Sequence, residues 1–197
     1  MNRINYIFVD FESVHETDWE RIANKPVKVT LVLGEQHKFF PIAVVKKLLK
    51  CASQVELVET KRTGKNAADL VLAELIGGQN KSDPRGYFHV VSKDKGFDAL
   101  IAHLKTNGTR AARRASFSDI PILMNTTERV KSLTSFFKDH PQNRPAKKKP
   151  LETQIQALFG KALTAEETAA TVAGLVTARV VEISSAGAVS YPTTSAT

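Results

Sequence analysis

The chain has 197 residues, of which 42% are hydrophobic and 24% are charged, a balance typical of a soluble globular protein. No apolar run approaches the roughly 20 residues that cross a bilayer, and the opening residues MNRINYIFVDFE lack a long apolar segment, so we expect neither a membrane span nor a signal peptide. The single cysteine, Cys51, excludes an internal disulfide and predicts a cytoplasmic protein in which this residue is part of the core.

The net charge of +8 and the pI near 9.6 favour a polyanionic partner. The charge is unevenly distributed along the chain. Residues 1–137 contain 21 basic and 15 acidic residues, residues 138–150 contain 5 and 1, and residues 151–197 contain 2 and 4. The basic character therefore belongs to the N-terminal region and to the stretch that follows it.

Short apolar runs alternate with helical periodicity along the first two thirds of the chain. Runs rich in β-branched and aromatic residues predict five strands, at Ile4–Val9, Val27–Leu33, Gln54–Glu59, Gly86–Ser92 and Arg110–Ser116. Apolar residues three or four positions apart predict helices at Phe40–Lys50, Asn66–Ile76, Phe97–Thr106 and Thr126–Lys138. Pro41 suits a first helical position, Asn66 an N-cap, and Gly77-Gly78 the end of the second helix.

This alternation predicts an α/β fold with three layers, in which helices cover both faces of a central parallel sheet. In such folds the functional site lies outside the carboxyl ends of the strands. We therefore expect residues 1–137 to form one domain with its site at that edge.

The C-terminal residues predict a second, smaller unit. Residues 138–150 (KDHPQNRPAKKKP) contain three prolines and five basic residues, which indicates a linker. Residues 151–192 predict a helix over Leu151–Phe159, a helix capped by Thr164 and Glu167, and a hairpin around Ser184–Gly187. This helix-helix-hairpin order resembles a truncated winged-helix unit, and residues 193–197 are expected to be a frayed tail.

Four aspartates fall where strands should end or helices should begin. Asp10 follows the first strand and Asp94 the fourth, whereas Asp69 and Asp98 lie in the first turns of two helices. Glu12 would share a side with Asp10 if the strand continued, and Ser92 could orient Asp94 by a hydrogen bond. Carboxylates that gather at one sheet edge repel one another unless a cation or a proton joins them.

Each acid also has a structural interpretation. Asp10 or Asp98 could cap a helix, Glu12 could face solvent, and Asp69 gains from the helix dipole. The functional interpretation is a Mg²⁺ or Mn²⁺ site, because these ions prefer carboxylate oxygens and retained water. Such a site can activate water for in-line attack on a phosphodiester.

The motifs IFVDFE, NAAD and SKDKGF, in this order and with these elements between them, resemble the PIN-like superfamily and its NYN branch. The resemblance covers residues 4–117. It implies a compact α/β domain that acts as a metal-dependent ribonuclease, with metal-binding acids at Asp10, Asp69 and Asp94 and support from Ser92.

The chain departs from the family pattern at two positions. Ser13 stands where the first motif often has Asn, and Gly96 stands where the third motif often has a second Asp. Asp98, two positions later, could take over the role of that Asp.

A nuclease needs cations around an acidic cleft, because the carboxylates alone repel phosphate. The sequence offers cations in the same loops as the acids or close to them: Lys61, Arg62, Lys65, Lys93, Lys95, Arg113 and Arg114. Each could equally be ordinary surface.

The sequence thus predicts a cytoplasmic endoribonuclease that depends on Mg²⁺ or Mn²⁺ and acts on single-stranded or structured RNA. The alternative is a catalytically inactive PIN-like module that binds RNA or protein. A phosphoacceptor receiver-like domain is a third option, but the third strand ends in Glu59-Thr60 rather than in the Asp that option needs. We expect no membrane partner, and the C-terminal unit could serve a homodimer or a protein partner.

Overall fold

The computed structural model of the chain describes residues 3–14, 18–35, 37, 39–61, 64 and 66–192. The chain divides into two compact units, Met1–Ile120 and Pro121–Thr197. The prediction of a frayed tail at 193–197 lies outside the described residues.

The first unit is built on a five-stranded parallel sheet, as predicted. Its strands are β1 (Asn5–Asp10), β2 (Val27–Leu33), β3 (Val55–Glu59), β4 (Tyr87–Val91) and β5 (Arg110–Arg114). Their order across the sheet is β3-β2-β1-β4-β5, so β1 is central and buried along its whole length. This order differs from the 2-1-3-4-5 order of receiver domains and excludes that alternative.

Helices cover both faces of this sheet, which confirms the three-layer α/β/α prediction. They are α1 (Ile42–Lys50), α2 (Ala67–Ser82) and α3 (Phe97–Thr106). One core cluster joins α2 and α3 to one sheet face and includes Phe8, Val32, Leu72, Phe88, Val90 and Ile101. The connection β2-α1-β3 runs across the sheet in the opposite direction to β3-α2-β4. Because connections between parallel strands are right-handed, α1 lies on the sheet face opposite to α2 and α3.

Several predicted element boundaries of the first unit differ from the structure. Helix α2 continues through Gly77-Gly78 to Ser82, although two internal glycines cost about 2 kcal/mol relative to alanine. The buried side chains of Leu72 and Ile76 anchor the helix, so packing outweighs the glycine cost. Pro41 is the N-cap of α1 and not its first helical residue, and β5 ends two residues earlier than predicted.

His89 is the buried polar residue of β4. Its Nε2 lies 3.0 Å from Asn5 Oδ1, and since that oxygen can only accept, Nε2 carries the proton. Burial, and secondarily the nearby positive charge of Arg114, lowers the pKa of His89 from 6.5 to about 3. The histidine is therefore neutral in the folded state at physiological pH.

The second unit contains three helices and a small hairpin. They are α4 (Thr126–Asp139), α5 (Lys148–Leu158), α6 (Ala165–Thr177), β6 (Glu182–Ile183) and β7 (Val189–Ser190). The helix-helix-hairpin prediction is confirmed, including the capping box of Thr164 and Glu167, although α5 begins at Lys148 and not at the predicted Leu151. The core of this unit consists of Leu133, Phe137, Leu151, Ile155, Phe159, Leu163, Val172, Leu175, Val181 and Val189.

The predicted domain boundary after residue 137 was wrong, because α4 belongs to the second unit. Leu133 and Phe137 of α4 are buried in the same core as Leu151 of α5. Residues 138–150 are not a free linker either. The Val189 N–H donates to the Ala146 carbonyl at 2.9 Å, and the Tyr191 hydroxyl donates to the Pro145 carbonyl at 3.2 Å, so Pro145 and Ala146 pack along the hairpin.

Cys51 is buried and unpaired, as the sequence predicted. None of the helices in the described part of the chain combines the length and the apolar composition that crossing a bilayer requires.

Candidate functional site

An open cleft of about 460 Å³ lies at the carboxyl edge of the sheet. The ends of β1, β2 and β3, the start of α2 and the loop after β4 all contribute to its walls. Its lining residues are Asp10, Glu12, Ser13, Glu35, Thr60, Gly64, Asn66, Ala67, Ala68, Asp69 and Asp94. The structure therefore brings together four of the acids that the sequence singled out, and Ala67 and Ala68 leave room beside them.

Asp10 is the anchored member of this group. It ends the central strand and is only 5% exposed, and its Oδ2 accepts a 2.7 Å hydrogen bond from the fully buried Ser92 hydroxyl. Because Ser92 gives its proton to Asp10, the Ser13 hydroxyl is the donor in the 3.1 Å bond between the two serines. The Ser92 hydroxyl thus holds one carboxylate oxygen in place and is itself contacted by Ser13, whose part in the site was not predicted.

Asp94 is positioned by its own loop. Its backbone N–H donates to the Ser92 hydroxyl oxygen at 3.0 Å, and its Oδ1 accepts from the Gly96 N–H at 2.7 Å. A methyl group at position 96 would lie 3.2 Å from that same Oδ1, which is tight. Ser92 therefore contacts both Asp10 and Asp94. The close approach of the Gly96 backbone to the Asp94 carboxylate leaves little space for a side chain at position 96.

Glu12 reaches the cleft by a route that differs from the prediction. Strand β1 ends at Asp10, and the Ser13 and Val14 N–H groups fold back onto the Asp10 carbonyl at 3.2 and 3.0 Å. The strand alternation invoked for Glu12 therefore does not apply, and a turn carries it into the cleft. Its carboxylate lies against Gly34, where any β-carbon would overlap it.

The pKa of Asp69, in the first turn of α2, is affected by the other acids of the cleft. Its half-buried carboxyl has a raised pKa, first because burial disfavours the ionised form and then because Asp10, Asp94 and Glu12 repel its negative charge. The dipole of α2 acts in the opposite direction, but repulsion and burial outweigh it. The four carboxylates thus form one interacting group.

The structure does not bring Asp98 into the cleft. Arg113 of β5 holds its exposed carboxylate with two hydrogen bonds, at 2.7 and 3.3 Å. The Arg113 hydrogen bonds hold the pKa of Asp98 below its usual range, as expected for a carboxylate kept ionised by a cation. Asp98 is therefore engaged in an ion pair away from the cleft lining.

The predicted cations have different surroundings. Lys61, Lys93 and Lys95 are exposed, and Lys93 and Lys95 flank Asp94 in sequence. Arg113 is occupied by Asp98 and by the Ser92 carbonyl, at 3.2 Å, which makes it part of the scaffold under the site. Arg114 is half-buried. Arg62 and Lys65 lie outside the described residues.

Besides Ser13, three residues of the cleft with polar side chains were not predicted as part of it. Glu35 follows β2, so the rule that placed Asp10 at the carboxyl edge would have found it too. Thr60 follows β3, and its hydroxyl donates to the Leu33 carbonyl at 3.0 Å. Asn66 occupies the predicted N-cap position of α2, but it has φ 63° and makes no side-chain cap bond, so its amide is available to the cleft.

The chemistry of these donors suits a hard divalent cation, since every candidate ligand atom is an oxygen. Among the described residues, no group of three acidic, His or Cys side chains is close enough to form a ready-made cage. The mutual repulsion at Asp69 is the property that a bound cation would relieve. The residues therefore fit such an ion in type and charge, but not as a preassembled set.

These features define an α/β protein of the 3-2-1-4-5 parallel-sheet type with an acidic cleft at the carboxyl edge. Residues 4–114 match the family model PIN7, described as a PIN domain. The match covers more than half of the chain, and the protein belongs to the PIN domain family, whose members are typically nucleases. A comparison with curated proteins and one with solved structures gave no match.

Proposed function

We propose that the protein is an endoribonuclease that depends on Mg²⁺ or Mn²⁺. The observation that carries the proposal is the acidic cleft itself, in which burial and three neighbouring carboxylates raise the pKa of Asp69. A cluster of this kind costs stability, so its presence in a PIN domain is best explained by a cation that it binds.

The proposed metal ligands are Asp10, Asp69, Asp94 and Glu12. A divalent ion would supply an activated water and charge stabilisation at the scissile phosphate. Ser92 has a positioning role, because one hydroxyl contacts both Asp10 and the Asp94 backbone. We leave Asp98 out of the proposed ligand set, since Arg113 already neutralises it.

RNA is the proposed substrate. The exposed Lys61, Lys93 and Lys95 offer cations near the acidic cleft for backbone phosphates, and the basic excess of the N-terminal region adds long-range attraction. Contacts of this type position a strand without reading its sequence, so we expect cleavage of many single-stranded or structured RNAs.

Catalytic inactivity is the second candidate. The absence of a ready-made cage among the described residues, and Gly96 at the position of a family acid, favour a module that binds RNA without cutting it. Mn²⁺ binding separates the two candidates, because an inactive module should bind the ion weakly while it still binds RNA in a salt-dependent manner.

The test is cleavage of labelled RNA by purified protein with Mn²⁺, compared between wild type, Asp10→Asn and Glu74→Gln. Glu74 is exposed on α2 and does not line the cleft, so its variant controls for the loss of one negative charge. Asp10→Asn should lose activity by a factor of at least about 100, and Glu74→Gln should retain it. Equal rates for wild type and Asp10→Asn would refute the proposal.

For the second unit we propose a winged-helix fold and a role in docking a protein partner or a second copy. The order α4, extended residues 146–147, α5, α6 and hairpin supports this assignment, since residues 146–147 pair with the hairpin as a short first strand would. The slightly acidic residues 151–197 argue against nucleic acid as the partner. A cytoplasmic location, consistent with the buried free Cys51, completes the proposal.

A further inference from the structure

Helix α1 is unusual because none of its nine residues is buried. Five large apolar side chains in and beside it are instead exposed: Phe39 (89%), Ile42 (74%), Val45 (38%), Leu49 (70%) and Leu57 (50%). They are five of the eight exposed large hydrophobic residues in the described part of the chain. We refer to these five side chains as the α1–β3 surface.

Four of the five residues share one side of the first unit, and Phe39 precedes the helix that carries three of them. Ile42, Val45 and Leu49 have the spacing i, i+3, i+7 and form one stripe along α1. Leu57 lies beside Leu31 in the register of β2 and β3, so both side chains point to the same face of the sheet. That face is the one that α1 covers, because the opposite face holds Val32 in the core with α2 and α3.

The β3 strand adds a sheet edge to this apolar stripe, and no other strand of the described residues pairs with that edge. It is the outermost strand of the sheet, and every one of its residues is at least partly exposed. An edge strand with free backbone groups beside exposed apolar side chains is a template for pairing with another strand. The exposed apolar area is roughly 500 Å², a large share of the roughly 800 Å² that one partner contributes to a stable interface.

The charges around the surface select a second copy of this chain as the occupant. Lys46, Lys47 and Lys50 make α1 purely basic, whereas Glu59 places a negative charge on the same sheet face as Leu57. An anionic membrane or an RNA would meet this glutamate unfavourably. A two-fold contact uses both signs, because it brings the basic end of α1 in each copy close to the acidic end of β3 in the other.

The topology predicts which charges meet. Helix α1 carries the chain from the carboxyl end of β2 back to the amino end of β3, so Lys50 lies at the amino edge of the sheet and Glu59 at the carboxyl edge. A two-fold axis perpendicular to the sheet pairs β3 with its copy antiparallel, and brings the amino edge of one copy to the carboxyl edge of the other. Lys50 of each copy then approaches Glu59 of its partner.

We propose that the α1–β3 surface is a homodimer interface in which the two β3 strands pair across a two-fold axis. The two five-stranded sheets then form one continuous sheet, and the α1 stripes of the two copies pack against each other. This interface lies in the first unit, is independent of the proposed nuclease activity, and differs from a contact through the second unit.

The first test is the mass of the full-length protein in solution by light scattering and analytical ultracentrifugation over a range of concentrations. The wild type should be a dimer at micromolar concentration, and Leu49→Lys should weaken dimerisation at least about 100-fold because it buries a charge in each copy. Leu70→Lys is the matched control, since Leu70 is 71% exposed on α2, away from this surface. Circular dichroism melting verifies that both variants are folded.

A charge exchange tests the proposed geometry. Lys50→Glu and Glu59→Lys should each weaken the dimer about 10-fold, and the double variant should recover most of the loss, because the pair is restored with its signs reversed. A monomeric wild type, a dimer that survives Leu49→Lys, or a double variant as weak as the single ones would each overturn the proposal. Binding of the monomer to anionic vesicles or to another protein would be among these contrary results.

Discussion

Replacement of Asp69 by Asn should stabilise the metal-free protein. At pH 7 the folded state must keep this carboxylate ionised in a half-buried place next to Asp10, Asp94 and Glu12, which is why its pKa is raised. The amide removes that charge and keeps the shape of the side chain. It also forfeits the helix-dipole contribution of about 0.3–1 kcal/mol, which is the smaller effect here.

The expected gain is about 1 kcal/mol, in the range found when charge crowding at a functional site is relieved. For a chain of this size it corresponds to a rise in Tm of about 2–4 °C. The sign follows from linkage. An acid whose pKa is raised by folding destabilises the fold at high pH, and this cost disappears as the pH falls through the raised value toward the ordinary value of 3.8. The advantage of Asp69→Asn should therefore be present at pH 7 and absent below about pH 4.

In Mn²⁺ the wild type should become more stable than Asp69→Asn, the reverse of the order expected without metal. The wild type should gain stability from millimolar Mn²⁺, because a bound cation stabilises the folded state by mass action, whereas Asp69→Asn should gain little. The assay is thermal unfolding followed by circular dichroism, with EDTA and with Mn²⁺. Glu74→Gln on the same helix serves as the control and should behave as the wild type does. A lower Tm for Asp69→Asn than for wild type in EDTA would show that the Asp69 charge does not destabilise the metal-free fold.

Three further predictions concern neighbouring groups. His89 should contribute about 1.4 kcal/mol per pH unit to the loss of stability between pH 6.5 and its folded pKa of about 3, and His89→Gln should flatten that part of a denaturant-melt pH profile. Gly34→Ala should displace the Glu12 carboxylate, because the new β-carbon would overlap it. Mn²⁺ affinity, measured by calorimetry, should fall about 10-fold with little change in Tm. An unchanged affinity would exclude Glu12 as a ligand. Ser92→Ala should cost about 1–3 kcal/mol in urea unfolding, since buried Asp10 loses a donor, and a neutral result would show that water replaces the hydroxyl.

The sheet and three of the four aspartates followed from simple rules. Buried parallel strands have nearly continuous apolar runs, and their carboxyl ends meet at one edge, so Asp10 and Asp94 could be placed in advance. The same rule applied to β2 would have added Glu35. Asp69 followed from the start of a helix at that edge.

The remaining differences between the predictions and the structure depend on contacts between residues that are distant in the sequence, and the local motifs do not reveal those contacts. Asp98 pairs with Arg113, fifteen residues away on a neighbouring strand, and nothing in the local motif indicates that partner. The apolar face of α4 has the same periodicity whichever core it joins, so its pattern did not show that Leu133 belongs with Leu151. Proline content suggested a linker at 138–150, but it does not prevent an extended segment from pairing with a hairpin.

Anomalous diffraction from crystals of the wild-type protein soaked in Mn²⁺ would show whether the cleft binds the ion. We expect at least one anomalous peak in the cleft, bound by carboxylate oxygens of Asp10, Asp69 and Asp94 at about 2.0–2.3 Å. Asp10→Asn crystals should lose the peak. An empty cleft at millimolar Mn²⁺, or an ion held by Asp98 in its place, would contradict the proposed metal site.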